Sequence, residues 1–235
     1  MRLHIIGVLV CCLLSPAAGQ TQQPSGVAKK ANKTPRWTLL FDGKSLAGWQ
    51  IIEGKNDKEI EYEGHGKVEV RDGCLVIGTG QPATGVRAKH KLPRSNYEVA
   101  LEAKRVKGTD FFCGMSFPVG DGALTLILGG WGGWVVGLSN IDGERAIDNE
   151  TCQSVEFKNG RWYAVRVRVT DAKVEVWLDK EKIIDLERAD HKFEVTWEMA
   201  PCLPFGFATW DTTGALRRIR YRPLKSQAKI DTRDK

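Results

Sequence analysis

The chain has 235 residues, 42% hydrophobic and 27% charged, with 25 glycines and eight tryptophans. That content suits one globular domain, or at most two small ones, and argues against a disordered chain. The formal charge is +6, but removing residues 1–36 and 225–235 leaves residues 37–224 at −1. A nucleic-acid surface gathers its cations on a structured face, so this distribution argues against nucleic acid as a partner.

The N-terminus comes first. Arg2 and His4 precede the apolar run Ile5–Leu14, and small residues with a proline follow at Ser15–Gly19. That order is the order of an export signal, with cleavage expected before Gln20. The mature protein is then expected outside the cytoplasm, periplasmic or extracellular. The run is far short of the ~20 residues of a membrane span, and no longer apolar run exists, so no membrane span is expected. Residues 20–36 are polar and hold Pro24, Ser25, Gly26 and Pro35. They read as a disordered linker, and residues 225–235 read as a disordered tail. The folded domain is expected at 37–224.

Within that domain, period-2 patterning dominates. Trp37–Phe41 and Trp49–Ile52 bracket a glycine-bearing turn. Val68–Arg71 and Cys74–Ile77 flank Asp72-Gly73, a type I′ hairpin signal. Tyr97–Lys104 puts Tyr97, Val99, Leu101 and Ala103 on one face and Glu98, Glu102 and Lys104 on the other, a half-buried strand. Phe111–Phe117, Ala123–Leu128 and Trp134–Leu138 read as further strands, and the continuous apolar run Leu124–Leu128 suits a strand covered on both faces.

Thr151–Phe157 and Arg161–Thr170 flank Asn159-Gly160, a second hairpin signal. A hairpin turning at Asp171-Ala172 would set Arg168 opposite Glu175 and Arg166 opposite Trp177. The other face of that hairpin would be valine and leucine throughout. Lys182–Leu186 continues the meander, and Pro204–Trp210 and Ala215–Arg222 close the chain. No amphipathic helix of ten residues or more is legible. About a dozen short strands therefore predict an all-β sandwich or barrel.

Four cysteines remain after the leader: Cys74, Cys113, Cys152 and Cys202. They permit three pairings, and disulfide and free thiol stay open. Neither they nor the histidines have the spacing of a zinc site, so no metal is assigned.

The string Leu40-Phe41-Asp42-Gly43-Lys44-Ser45-Leu46-Ala47-Gly48-Trp49 resembles the opening signature of the 3-keto-disaccharide hydrolase domain family. Val68–Ile77, the segment Gly160–Asp179 and the closing Thr213–Arg220 resemble later parts of the same family. Gly129–Gly133 and Asp148–Thr151 resemble a planctomycete-like secreted branch. The resemblance implies a concanavalin A-like jelly-roll sandwich of two antiparallel sheets. It also implies cleavage of 3-keto glycosides: abstraction of the carbon-2 proton, elimination of the anomeric oxygen, and hydration. The chain departs from the family pattern at Thr109–Gly114, where Asn-Ser-Gly is usual, at Val176, where His is usual, and at Leu124–Gly133, where an acidic strand motif is usual.

That chemistry needs a base, an acid and donors for the enolate oxygen. Asp110 stands where the family has a polar site residue and is the expected base, with Glu150 as the expected acid. Trp131 and Trp134, with Asp148 and Asn149, are the expected sugar-binding residues. Asp110 also reads as an inert turn residue, and Trp131 as a tryptophan packed on the sheet. Asp148 and Glu150 also read as solvated loop carboxylates or a cation site. No cofactor is assigned. The expected partner is a carbohydrate or glycoside. The alternatives are a non-catalytic carbohydrate-binding module and a cell-envelope adhesion or structural domain, since one sandwich hosts all three.

Overall fold

A computed structural model of the protein describes residues 35–53 and 62–225. The proposed leader, nearly all of the linker and all but Lys225 of the tail lie outside the described residues. The first strands are β1 (Thr38–Leu39), β2 (Trp49–Ile51), β3 (Val68–Arg71), β4 (Cys74–Ile77) and β5 (Ala83–Ala88). Then come β6 (Tyr97–Gly108), β7 (Cys113–Val119), β8 (Gly122–Gly130), β9 (Val135–Ser139) and β10 (Gln153–Ser154). The last are β11 (Tyr163–Val169), β12 (Lys173–Leu178), β13 (Glu181–Glu187), β14 (Gly206–Trp210) and β15 (Thr212–Pro223). A single short helix, of the 3-10 type, spans Trp197–Cys202 among the described residues.

The strands form two antiparallel sheets, and the protein is a jelly-roll sandwich. One sheet has eight strands, ordered β13-β12-β11-β6-β15-β4-β3 with β1 added on β15. The other has seven, ordered β10-β9-β8-β7-β14-β5-β2. Their inner faces meet in one core. The eight-stranded sheet gives Tyr97, Val99, Leu101, Val165, Val167, Val176 and Ile219; the seven-stranded sheet gives Met115, Phe117, Leu126, Leu128, Leu138 and Phe207. The period-2 rule thus places alternate residues inside, and their burial drives assembly. Tyr97 is fully buried and donates its hydroxyl hydrogen to the Pro118 carbonyl at 2.6 Å, so its polar end is satisfied.

Register follows the sequence closely in two hairpins. Asp72 and Gly73 both have positive φ, 52° and 74°, as a type I′ turn requires. In the second hairpin Arg168 pairs with Glu175 and Arg166 with Trp177, the expected register. The Arg166 guanidinium lies 3.5 Å from the Trp177 ring centroid.

Three features differ from expectation. Asn159-Gly160 is a turn, but its flanks do not pair: β10 joins β9 in one sheet, and β11 joins β6 in the other. Arg105 secures this crossing. Its Nε donates to Asn159 Oδ1 at 2.7 Å and its Nη2 to the Phe157 carbonyl at 2.6 Å. Strand β5 carries no legible pattern, because Ala83, Thr84 and Gly85 are small residues buried on both sides. A Cβ on Gly85 would come within 2.8 Å of the Tyr62 ring and 2.9 Å of the Phe207 carbonyl, so the close packing there needs glycine. Finally, Glu98, on the outward face of β6, is wholly buried rather than solvated.

The outer face of the seven-stranded sheet positions the site. Gly114, Gly137 and Ala208 point outward there, and small residues let covering segments approach. A Cβ on Gly137 would meet the Ala146 carbonyl at 2.8 Å, and one on Gly114 the Met199 methyl at 3.1 Å. The covering segments are the loop between β9 and β10 and the segment carrying the 3-10 helix.

Candidate functional site

Beneath those covers lies a cavity of about 220 Å³, lined by Asp110, Phe111, Ile127, Trp131, Ser139, Arg145, Thr196, Glu198, Met199 and Trp210. Ile127 and Ser139 form sheet-side floor on β8 and β9. Phe111 and Trp210 stack at one wall with ring centroids 6.1 Å apart. Met199 supplies part of the cover.

Asp110 sits in the short connection between β6 and β7. Its backbone N–H donates to Thr212 Oγ1 at 3.0 Å, which ties it to the start of β15. Its carboxylate accepts the Phe111 N–H at 2.7 Å on one oxygen and the Gly132 N–H at 3.2 Å on the other. Asp110 therefore joins the β6–β7 connection to the glycine-rich turn after β8. Trp131 occupies that turn with φ of 50°, a left-handed conformation that costs a non-glycine residue of order 1–3 kcal/mol. The neighbours Gly129, Gly132 and Gly133 also have positive φ, and a Cβ on Gly130 would lie 2.8 Å from the Ile127 side chain, which is why four glycines surround one tryptophan.

Glu198 comes from the 3-10 helix. Its Oε1 accepts from Arg145 Nη2 at 3.2 Å, and its Oε2 is buried with no hydrogen-bond partner among the described residues. The Arg145–Glu198 pair links the two covering segments. Tyr62 anchors the same helix, donating its hydroxyl hydrogen to the Glu198 carbonyl at 2.6 Å. Burial raises the Tyr62 phenol far above its ordinary range, and burial pushes the neighbouring Cys202 thiol up to about 12. Both stay protonated near neutral pH, so Cys202 is an anchor and not a nucleophile. Burial likewise raises the Cys113 thiol. All four described cysteines are unpaired thiols.

The expected site residues divide. Asp110 and Trp131 line the cavity together. Trp134, 43% exposed, is not among its lining residues; its carbonyl accepts the Val155 N–H at 2.9 Å. Asp148 is exposed at the loop surface, away from the lining. Asn149 is buried, and its side chain is fully used. Its amide donates to the Leu138 and Arg145 carbonyls at 2.8 and 2.9 Å, and its oxygen accepts from the Thr151 N–H and hydroxyl at 3.0 and 2.7 Å. It holds the β9–β10 loop in shape. Glu150 turns to His191, with Oε1 3.4 Å from Nε2, while Asp142 meets the other ring nitrogen at 2.7 Å. Asp142 is held below the ordinary aspartate value, first by the Lys192 N–H and then by His191. The structure does not bring Glu150 into the cavity that holds Asp110.

Sequence reasoning missed Glu198 and Arg145 and left Trp210 undecided. One signal was available for Glu198: it is the only charged residue between Val195 and Phe205, in a proline-bearing stretch without strand alternation. Among the described residues no group of three or more His, Cys, Asp or Glu side chains is placed to hold a metal ion. No described helix is long and apolar enough to cross a membrane.

Comparison with known proteins agrees with this architecture. Domain 4 of AbnA, an extracellular arabinanase from Geobacillus stearothermophilus solved with arabinotriose, superposes with a TM-score of 0.52 at 16% identity, covering 83% of this chain and 96% of that one. The transglycosylase Crh5 superposes with a TM-score of 0.53 at 11% identity over 83% and 85% of the two chains. A candidate glycosyl hydrolase from Parabacteroides distasonis gives 0.50 at 18% identity over 80% and 94%. At these identities the likeness is one of fold. A sequence search of curated proteins finds no match. The profile of the 3-keto-alpha-glucoside-1,2-lyase-like domain matches residues 36–225, and the chain belongs to that family.

Proposed function

We propose that the protein acts on glycosides, and that it cleaves 3-keto glycosides in the cavity between Asp110 and Glu198. Family membership supports the substrate class. The observation that carries the reading is the composition of the cavity: two carboxylates and one guanidinium beside Trp131 and Trp210. Its volume, about 220 Å³, falls below the roughly 300–1,000 Å³ of drug-sized sites, so it takes one sugar ring and leaves the second toward solvent.

A ketone at carbon 3 acidifies the proton on carbon 2. Asp110 takes that proton, and the C–H electron pair becomes the enolate of carbons 2 and 3. Arg145 places positive charge beside the enolate oxygen. The enolate then collapses, the bond from carbon 1 to the anomeric oxygen breaks, and the Asp110 carboxyl returns its proton to the leaving oxygen. Water adds to the unsaturated ring afterwards. Glu198 holds Arg145 in place by one oxygen. Trp131 offers the ring an aromatic face.

A second reading is favoured by a specific observation: both Asp110 oxygens already accept main-chain N–H groups. A carboxylate so occupied suits a brace, and the cavity would then bind sugar without cleaving it. Incubating the protein with 3-keto-glucosides and with intact disaccharides, with product analysis, decides between the two. Release of aglycone that Asp110→Asn abolishes supports the enzyme. Sugar binding without product, lost in Trp131→Ala and kept in Asp110→Asn, supports the module. The same proposal includes export, and sequencing of the mature N-terminus is expected to begin near Gln20.

A further inference from the structure

The outer face of the eight-stranded sheet is built from arginine. Arg166 and Arg168 stand on β11, and Arg217, Arg218, Arg220 and Arg222 on β15. Their carboxylate partners are shared. Glu98 bonds Arg166, Arg168 and Arg222 at 2.9, 2.8 and 2.6 Å, and Glu102 bonds Arg217 and Arg218 at 2.7 and 2.6 Å. Glu175 bonds Arg168 at 3.4 Å and Lys182 at 3.1 Å. The Arg220 side chain has no hydrogen bond or ion pair among the described residues, and its Nε is buried without a partner. The other five arginines of the face are each held by a glutamate, so the Arg220 guanidinium is the one of the six left to pair with a ligand.

A hollow accompanies it. Register places Ala100 of β6 between Arg166 on one neighbouring strand and Arg220 on the other. Along the outward row of β6, Glu98 and Glu102 flank Ala100, whose single methyl leaves a notch between the two arginines. The notch is a cavity of about 200 Å³ lined also by Trp37, Arg166, Arg218 and Arg220 and by two carboxylates already held by cations, Glu102 by Arg217 and Arg218 and Asp179 by Arg161. The Trp37 ring lies 5.0 Å from the Arg220 guanidinium.

We propose that this notch is a second ligand site, separate from the cavity on the opposite sheet, and that it binds the carboxylate or sulfate group of an acidic sugar. Guanidinium groups pair with such oxyanions through parallel charge-assisted hydrogen bonds. The volume admits one group and part of one ring, and the Trp37 indole supplies an apolar surface for that ring. The excess of arginine over carboxylate on the face attracts the anion although the domain as a whole is near neutral.

The test titrates the full protein at low salt with a glucuronate-containing disaccharide, a sulfated disaccharide, a neutral disaccharide and inorganic sulfate. At least one acidic disaccharide is expected to bind, and Arg220→Gln is expected to weaken it at least tenfold, as for a lost hydrogen bond to a charged group. Ala100→Leu fills the notch from outside the core and is expected to do the same with an unchanged melting temperature. Asp110→Asn is expected to leave this binding intact. Equal binding by wild type, Arg220→Gln and Ala100→Leu in every arm overturns the site. Inorganic sulfate binding as tightly as the acidic disaccharides overturns the sugar as its source, and equal binding of the neutral disaccharide overturns the anion.

Discussion

On the outer face of the eight-stranded sheet, Glu98 is wholly buried and receives bonds from three arginines. On the outer face of the seven-stranded sheet, Asp110 and Glu198 share a cavity with one arginine, whose guanidinium bonds Glu198. Glu98 is buried and Asp110 and Glu198 are half-buried, and the two faces leave their carboxylates in different states. Burial disfavours the Glu98 carboxylate, and the bonds to Arg168, Arg222 and Arg166 more than reverse it, so the group is held below the ordinary glutamate value. Its hydrogen-bonding capacity is spent. Glu198 keeps one oxygen without a partner. A carboxylate saturated by its neighbours acts as a fastener; one held at a single oxygen beside a hollow is less tightly tied.

The largest expected effect lies on the cavity side. Asp110→Asn keeps the shape of the side chain and an oxygen for a main-chain N–H, but it removes the proposed base. Turnover of a 3-keto glycoside is expected to fall by about 10²–10⁴, the range for losing a general base. Single-turnover rates of aglycone release measure it. A fall of less than threefold would sink the assignment and leave the brace.

Most of this contrast was hidden in the sequence, for physical reasons. Alternation places Glu98 on the outward face of β6, but it says nothing of what crosses over that face. The three arginines come from β11 and β15, 68 to 124 residues away in sequence. The Arg166–Trp177 and Arg168–Glu175 pairs were legible, because a two-residue turn fixes register within one hairpin. Asn159-Gly160 reads as a hairpin in the sequence because a tight turn looks the same whether its flanks pair or part into two sheets. In the cavity, Asp110 and Trp131 were legible from family likeness and from the glycine cluster. Glu198 and Arg145 were not, since they enter from covering segments with no period, and Glu150 stands one residue from the buried Asn149 yet turns outward to His191.

The next expected effect breaks the fastener. Glu98→Gln is expected to lower stability by about 1.5–3 kcal/mol, the range for hydrogen bonds to charged groups, while leaving turnover in the opposite sheet unchanged. Its pH dependence has a definite sign. A carboxylate whose folded-state pKa lies below the ordinary 4.5 contributes stability that is fully present above 4.5 and is lost as pH falls through the folded value. The gap between wild type and Glu98→Gln is therefore expected to close as denaturation is followed downward from pH 5. A gap that widens on acidification would show that Glu98 is not held ionised by its arginines.

A smaller effect sharpens the cavity side. Trp131→Gly removes the aromatic face and relieves the left-handed strain at φ of 50°, a conformation that glycine adopts without cost. Sugar affinity is expected to fall about tenfold, while thermal stability stays level or rises, because the strained conformation costs of order 1–3 kcal/mol. Calorimetric binding beside a melting curve reads both. Lost stability with unchanged affinity would make Trp131 a packing residue.

The smallest effect is expected at Glu150, and it separates nearness in sequence from nearness in space. Glu150 follows Asn149, which clamps the loop through Leu138 and Arg145, but its own carboxylate lies beside His191 and 60% exposed. If chemistry follows the cavity, Glu150→Gln is expected to change turnover by less than twofold, because the group reaches neither Asp110 nor Arg145. Glu198→Gln, which breaks the Arg145 ion pair inside the cavity, is expected to lower turnover by tenfold or more with the fold kept by Tyr62. Comparing the two variants on one substrate settles which glutamate belongs to the site. A large loss in Glu150→Gln with none in Glu198→Gln would mean that the loop closes over the substrate in an arrangement where His191 and Glu150 enter the reaction, and that the cavity under the 3-10 helix is only a binding hollow.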